Sequence, residues 1–517
     1  MERVLAAWAL VWRLAAQAPE AELKALIEAA QRAEQREDLE TAADAYRKIL
    51  RLRPGWASAE FNLGLVYHSQ RKYGEAVVVL EQALRHNPQL HGAHLFLGAS
   101  YAAMREYEKA LPPLERYAQL EPASEEATAL LAECYCRLGR HAPCVVSCLR
   151  RIRRAPNEPE PYYWLRESYL ALANECLREL SLAPAAAHFR ELFAAEELAS
   201  PEAAEAELTR FVERFPDSLE GLLALGALQL RLGRAAGAAA AFEQARQRDP
   251  AAAPYLAAVR GAAPPPGPCP TREPLARTAC LVAQGKMEEA TTSALAWREA
   301  PARTPRQTYW AMHFFSRLAS RAIDLLAERS PDSPLLAIIR ARVFEQAGDL
   351  VRAEQEYVGA LAGGADSDTL VEYGKFKCRN SEFDAAIALF EKALQLDAGR
   401  ADVHALLGEV YMIRGEAAKA LPHVQTAVER NPVHAQARIY WAQALHKLGR
   451  TREAITVLKA APADPDGRIH YLLARYLAQQ GLRDEAASAL AVFREKRRSA
   501  ASPSPLGSLT GAAAPGP

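Results

Sequence analysis

The stretch ASAEFNLGLVYHSQRKYGEAVVVLEQALRHNPQL (residues 57–90) is followed directly by HGAHLFLGASYAAMREYEKALPPLERYAQLEPAS (residues 91–124). The two share one pattern at a spacing of 34 residues: Gly64, Tyr67, Ala76, Leu80 and Pro88 return as Gly98, Tyr101, Ala110, Leu114 and Pro122. A third pass gives Ala132, Tyr135, Cys144, Cys148 and Pro156. A fixed period of this length is one helix–turn–helix unit stacked on itself, each copy too small to bury its apolar face alone.

Working outward, complete units start near Leu23, Ala57, His91 and Glu125. The two helices of a unit must cross closely, so position 8 requires Gly or Ala and position 20 requires Ala. Larger residues at positions 7, 11 and 24 fill the space around that crossing: Leu63, Tyr67 and Leu80, then Leu97, Tyr101 and Leu114. Pro54, Pro88, Pro122 and Pro156 end the second helices, because proline lacks the N–H and clashes with the preceding turn. The pattern resumes with Leu225, Gly226, Ala238, Phe242, Ala245 and Pro250. It continues through Ala341, Phe344, Ala353 and Tyr357, then Gly374, Ala386, Phe390 and Ala393. Gly408, Tyr411, Ala420, Ala427 and Pro432 form a further unit, followed by Ala442, Ala454 and Leu458 and by Ala474, Ala486 and Leu490. Ala, Leu, Glu and Arg, all strong helix formers, dominate throughout.

This residue set resembles the tetratricopeptide repeat (TPR) family over nearly the whole chain. The resemblance implies an all-α fold, an α-solenoid (right-handed superhelix) of about thirteen repeats, several imperfect. It also implies a non-enzymatic scaffold that binds protein or peptide segments.

Two irregularities shape the layout. Residues 261–275 contain Pro264, Pro265, Pro266, Gly267, Pro268 and Pro270, a stiff segment that cannot be helix. Cys134, Gly139 and Tyr163-Trp164 recur as Cys280, Gly285 and Tyr309-Trp310, each 146 residues later, which reads as a partial duplication carrying a helix longer than the repeat usually allows. The expected organisation is a possible signal peptide (1–18), an N-terminal arm (19–260), a Pro-rich linker (261–275), a C-terminal arm (276–496) and a disordered tail (497–517).

Lys+Arg and Asp+Glu balance at 63 each, so no global field draws the chain to nucleic acid or anionic lipid. The N-terminus pairs an apolar run, Val4 to Ala16, with a small-x-small Ala16-Gln17-Ala18. That resembles a secretory signal and is too short to span a bilayer. Arg13 within the run and Pro19 after the cut argue for the alternative, a hydrophobic helix capping the first repeat. If exported, the chain would resemble the family's bacterial periplasmic adaptors; otherwise it is cytoplasmic. No other apolar stretch reaches the length of a membrane span.

Candidate chemistry is sparse. Cys144 and Cys148 lie four apart on one helix face, at positions 20 and 24 where the family buries apolar side chains. Cys134 and Cys136, about 200° apart on their helix, cannot both reach that pair. Buried packing is expected, with a disulfide or a metal site as the alternatives. His86, His91 and His94, and later His434 and His446, are expected to be structural. Arg150, Arg151, Arg153 and Arg154 suit the negative end of a helix. No catalytic, phosphate-loop or calcium-loop motif is present, and no cofactor is expected.

The family's inner face is formed by positions 2, 5, 9, 12 and 13 of the first helices. In this sequence it comprises Phe61, Leu65, His68, Leu95, Ala99, Glu133 and Arg137, with Ser58, Ser69, Gly92, Ala102, Ala103, Glu126, Ala129 and Cys136. The first two sets are mainly apolar, which suits an amphipathic helix or an extended apolar peptide, or else the N-terminal helix itself. The family's carboxylate clamp requires Lys and Asn where this chain has Ile27, Gln31, Phe61 and Leu65, so docking of chaperone tails is not expected. A second reading is a sensor whose two arms move about the Pro-rich joint on binding a peptide or small molecule.

Overall fold

The computed structural model describes residues 20–198, 200–264, 266–270, 274–299, 304–364, 366–431, 434–461 and 467–500. The proposed signal segment, Pro432 and residues 501–517 lie outside it. Among the described residues every regular element is helical and no strand occurs. The chain divides into two compact units, Met1–Arg154 and Ala155–Pro517.

The first unit is four helix pairs. They are 20–35 with Leu39–Leu52, Ala57–Ser69 with Tyr73–His86, His91–Ala103 with Tyr107–Leu120, and Glu125–Arg137 with His141–Arg154. The crossing within each pair is as tight as the repeat pattern demands. A Cβ on Gly98 would lie 2.4 Å from Leu114, and one on Gly64 would lie 2.6 Å from Leu80. Ala76, Ala110 and Cys144, all at position 20, are fully buried at the same crossings. Removing Leu80 or Leu114 from water contributes about 1.5–3 kcal/mol each.

Adjacent pairs are joined by a hydrogen bond that repeats with the sequence. The Tyr101 hydroxyl donates to Glu81 Oε1 at 2.6 Å, and the Tyr135 hydroxyl donates to Glu115 Oε1 at 2.6 Å. The turn inside each pair passes through a left-handed residue: Glu37, Arg71, Arg105 and Gly139. Three of these four are not glycine, a local cost that the packing on either side overrides.

The second unit contains the irregular part. Pro159–Leu182 and Pro305–Arg329 are helices of 24 and 25 residues, about twice the length of the 13- and 14-residue helices of the regular pairs. Each starts with proline at its first turn, where no N–H is needed. They are the two long helices expected from Tyr163-Trp164 and Tyr309-Trp310, and they pack on one another, with the Tyr169 and Phe315 rings stacked at 6.3 Å.

Their flanking helices cross over. Arg342, on Pro334–Gln346, donates to Glu167 Oε1 at 3.2 Å and to the Tyr163 hydroxyl at 3.4 Å on the first long helix. Glu196, on Ala187–Glu196, accepts from the Tyr309 hydroxyl at 2.7 Å and lies 3.7 Å from His313 on the second. Arg342 and Glu196, Tyr163 and Tyr309, and Glu167 and His313 are each separated by the same 146-residue offset. Each half of the duplication therefore supplies the polar partner for the long helix of the other half.

This arrangement corrects the expected division at residues 261–275. The compact units divide at Arg154/Ala155, and the Pro-rich segment lies inside the second unit. Residues 261–264 and 266–270 are non-helical, whereas Pro274 and Leu275 already belong to the helix Pro274–Ala283. A Cys269–Cys280 disulfide and a 3.1 Å bond from Gln284 Nε2 to the Gly267 carbonyl pin the segment to that helix and its end. With the long helices packed across it as well, it is not a free joint between two arms.

The rest of the unit is regular. Ser367–Arg379 pairs with Phe383–Leu396, and Ala401–Ile413 with Ala417–Arg430. The position-8 contact returns: a Cβ on Gly374 would lie 2.4 Å from Phe390, and one on Gly408 would lie 2.2 Å from Val424. The last helix runs Arg483–Ala500, so the first four residues of the expected tail are helical.

Candidate functional site

In the first unit, successive first helices lie side by side and present one face. Phe61, from Ala57–Ser69, lays its ring over Gly92 of the next first helix, where a Cβ would lie 2.8 Å from the ring edge. The absent side chain gives the ring its seat. Phe61 then meets Phe96 edge-on at 6.4 Å, and Phe96 meets His68 edge-on at 5.4 Å. His68 Nδ1 pairs with Ser100 Oγ at 2.9 Å, tying the two helices together. Burial pushes the His68 imidazole below its ordinary value, against the opposing pull of Glu126, so it is neutral at pH 7.

Of the seven residues expected to line this face, Phe61, Leu65, His68, Glu133 and Arg137 are half-buried. Leu95 and Ala99 are not available to a ligand, at 5% and 8% exposure. Leu95 belongs to the buried cluster of Ala127 and Leu131 on the neighbouring first helix, which covers it. The expected face left out Phe96, which falls at position 6 between the face positions and whose half-buried ring lies 6.4 Å from that of Phe61. Glu133, 3.5 Å from the Tyr107 hydroxyl, lies toward one end of the strip, on the same helix as Arg137.

The cysteines depart from the packing expectation. Cys136 and Cys144 form a disulfide between the two helices of the fourth pair. Cys148 Sγ lies 3.8 Å from Cys136 Sγ, and all three sulfurs are buried within 4.8 Å of one another. The helical-wheel argument holds for Cys134, which is buried apart from this cluster, its thiol pushed up to about 12 by desolvation. The wheel alone does not show that position 12 of the first helix sits over positions 20 and 24 of the second.

The histidines pair locally. His86 Nδ1 donates to Glu60 Oε2 at 2.7 Å, His94 Nε2 donates to the Pro88 carbonyl at 3.2 Å, and His434 caps Ala435–Lys447. Arg154 donates to the Ala123 carbonyl at 3.2 Å, at a helix end.

A second concavity, of about 440 Å³, occurs in the Ala155–Pro517 unit, lined by Leu275, Trp297, Thr304, Arg306, Gln307 and Trp310. Its polar wall is built on Glu220, 5% exposed, which accepts from Trp310 Nε1 at 3.0 Å and from Arg306 Nε at 2.6 Å. The recurring Tyr-Trp pair was the sequence signal for this region, but its concavity depends on packing between distant helices.

The chain matches the family described as tetratricopeptide repeat over residues 27–91, 69–127 and 194–253. Residues 379–461 match the family described as anaphase-promoting complex, cyclosome, subunit 3. No curated protein matches. Among solved structures, MamA is 24% identical, covering 31% of this chain and 96% of that one with a TM-score of 0.30. PilF of Pseudomonas aeruginosa is 23% identical, covering 36% and 85% with a TM-score of 0.32. YrrB, described as a TPR protein with an unusual peptide-binding site, is 23% identical, covering 34% and 92% with a TM-score of 0.30. With the helix pairs and their glycine-seated crossings in place, the chain is a tetratricopeptide-repeat protein, of the class that serves as protein-interaction scaffolds. No described helix is long and apolar enough to cross a membrane.

Proposed function

We propose that this chain is a non-enzymatic adaptor that takes a protein segment on the first-helix face of the Met1–Arg154 unit. The observation that carries this reading is the continuous strip of half-buried Phe61, Leu65, Phe96 and His68 across two successive first helices. Its members are fixed before any partner arrives, by Gly92 beneath Phe61 and by the His68–Ser100 bond. A preformed apolar strip recognises the apolar side chains of an extended or amphipathic segment at little ordering cost to itself. Glu133 and Arg137 place one charge of each sign farther along, suiting a segment with polar residues at one end.

An exported location fits two further features: the signal-like N-terminus, and the Cys136–Cys144 and Cys269–Cys280 disulfides, which persist in oxidising compartments. Mass spectrometry of the mature N-terminus tests this; a chain starting at Pro19 is expected, and an intact Met1 would reject export. For the site, the test is capture of partners by wild type and by Phe61→Glu, Leu65→Glu, with circular dichroism confirming the fold. Loss of specific partners is expected; unchanged recovery by a folded variant would reject the face.

A further inference from the structure

We propose that Cys136, Cys144 and Cys148, once reduced, form a three-coordinate thiolate site for a soft cation of the copper(I) type. Three features point to a site rather than to packing. The sulfurs come from two different helices, Glu125–Arg137 and His141–Arg154, and converge within 4.8 Å of one another. At position 20, where Cys144 stands, Ala76, Ala110 and Ala420 fill the same crossing completely, so packing requires no sulfur there. Finally, the size fits: metal–sulfur bonds of about 2.3 Å place the sulfurs of a trigonal site about 4 Å apart, and Cys136 and Cys148 already lie 3.8 Å apart.

The coordination number selects the ion. Among the described residues no fourth His, Cys, Asp or Glu ligand atom joins the group. With Cys144 and Cys148 fully buried, a bulk-water ligand has no easy approach. Structural zinc sites are almost always four-coordinate, whereas soft thiolate sets favour copper(I). The compact triangle of sulfurs also disfavours migration of the disulfide from Cys144 to Cys148, because exchange needs attack in line with the bond that breaks.

Oxidation and ion binding compete for the same sulfurs. A dithiol reductant converts the Cys136–Cys144 bond to two thiols and itself becomes a disulfide, supplying two electrons and two protons. The ion then displaces protons from the three thiols, so affinity rises with pH.

The test uses the full chain with Cys269→Ser and Cys280→Ser to remove the other cysteine pair. Protein reduced with a phosphine is titrated anaerobically with copper(I) against a competing chelator, and X-ray absorption counts the ligands. One ion per chain bound by three sulfurs is expected, with no binding before reduction. Cys144→Ala, which restores the residue of the neighbouring repeats and so preserves the fold, and Cys148→Ala should each weaken binding by about 100-fold or more. Cys378→Ala should leave it unchanged. Failure of the folded, reduced protein to bind, unchanged affinity in Cys148→Ala, or a four-coordinate spectrum with a non-sulfur ligand would each overturn the site.

Discussion

Tyr169 and Phe315 stack with their ring planes within 20° and their centroids 6.3 Å apart, although 146 residues of chain separate them, the same interval that relates Tyr163-Trp164 to Tyr309-Trp310. Residues at equivalent places in the two copies of a duplication touch each other, as they do on the axis of a symmetric dimer. The crossed partners Arg342 and Glu196 complete that relation inside one chain. Both rings are fully buried, so Phe315→Ala should cost about 3–5 kcal/mol. A double-mutant cycle with Tyr169→Ala should show coupling of about 0.5–1.5 kcal/mol. Urea unfolding of the four proteins checks both; additive effects would mean the stacking carries no energy of its own.

The crossing glycines make a sharper test of the repeat. Gly98→Ala drives a methyl to 2.4 Å from Leu114 and should cost about 1–3 kcal/mol. Gly74→Ala, on the open side of Tyr73–His86 with nothing within 4 Å, should instead gain about 0.5–1 kcal/mol. Thermal unfolding of the pair should move in opposite directions.

Arg105 holds a left-handed backbone, φ 60°, at the place where Gly139 stands one repeat later. Arg105→Gly relieves a cost of about 1–2 kcal/mol but adds unfolded-state freedom worth about 0.5–1 kcal/mol. A net gain of up to about 1 kcal/mol in chemical denaturation is expected.

Burial holds His313 well below its ordinary value, and the Arg260 guanidinium beside it acts in the same direction. Above the unfolded value, near pH 6.5, both states are neutral and the full stability is present. As pH falls below that, the unfolded chain takes up a proton that the folded chain refuses, and stability is lost by up to about 1.4 kcal/mol per pH unit for this one group. His313→Gln should therefore flatten the decline in stability between pH 7 and pH 5; an unchanged slope would mean His313 is protonated in the fold.

Much of this was legible in the sequence, because the repeat is a local code. Gly64, Ala76 and Leu80 act within one helix pair, and each recurs often enough to be checked against the next. The long helices were also legible from a fixed offset. What was not legible depends on contacts between distant parts of the chain. Tyr169 carries no mark that it will meet Phe315, and the run from Pro264 to Pro270 reads as a joint until Cys269 is seen bonded to Cys280. On the candidate face, spacing alone placed Leu95 in a groove that the neighbouring helix fills, and missed Phe96 beside it.

The central claim is that a partner segment lies on the strip formed by Phe61, Leu65, Phe96 and His68. A photo-cross-linking amino acid in place of Leu65 tests it most directly, with the same group in place of Val358, an exposed apolar position in the other unit, as the reference. The account predicts one or a few discrete cross-linked partners at Leu65, abolished by Phe61→Glu and absent at Val358. Equal cross-linking at the two positions, or cross-links at Leu65 that survive Phe61→Glu, would contradict it.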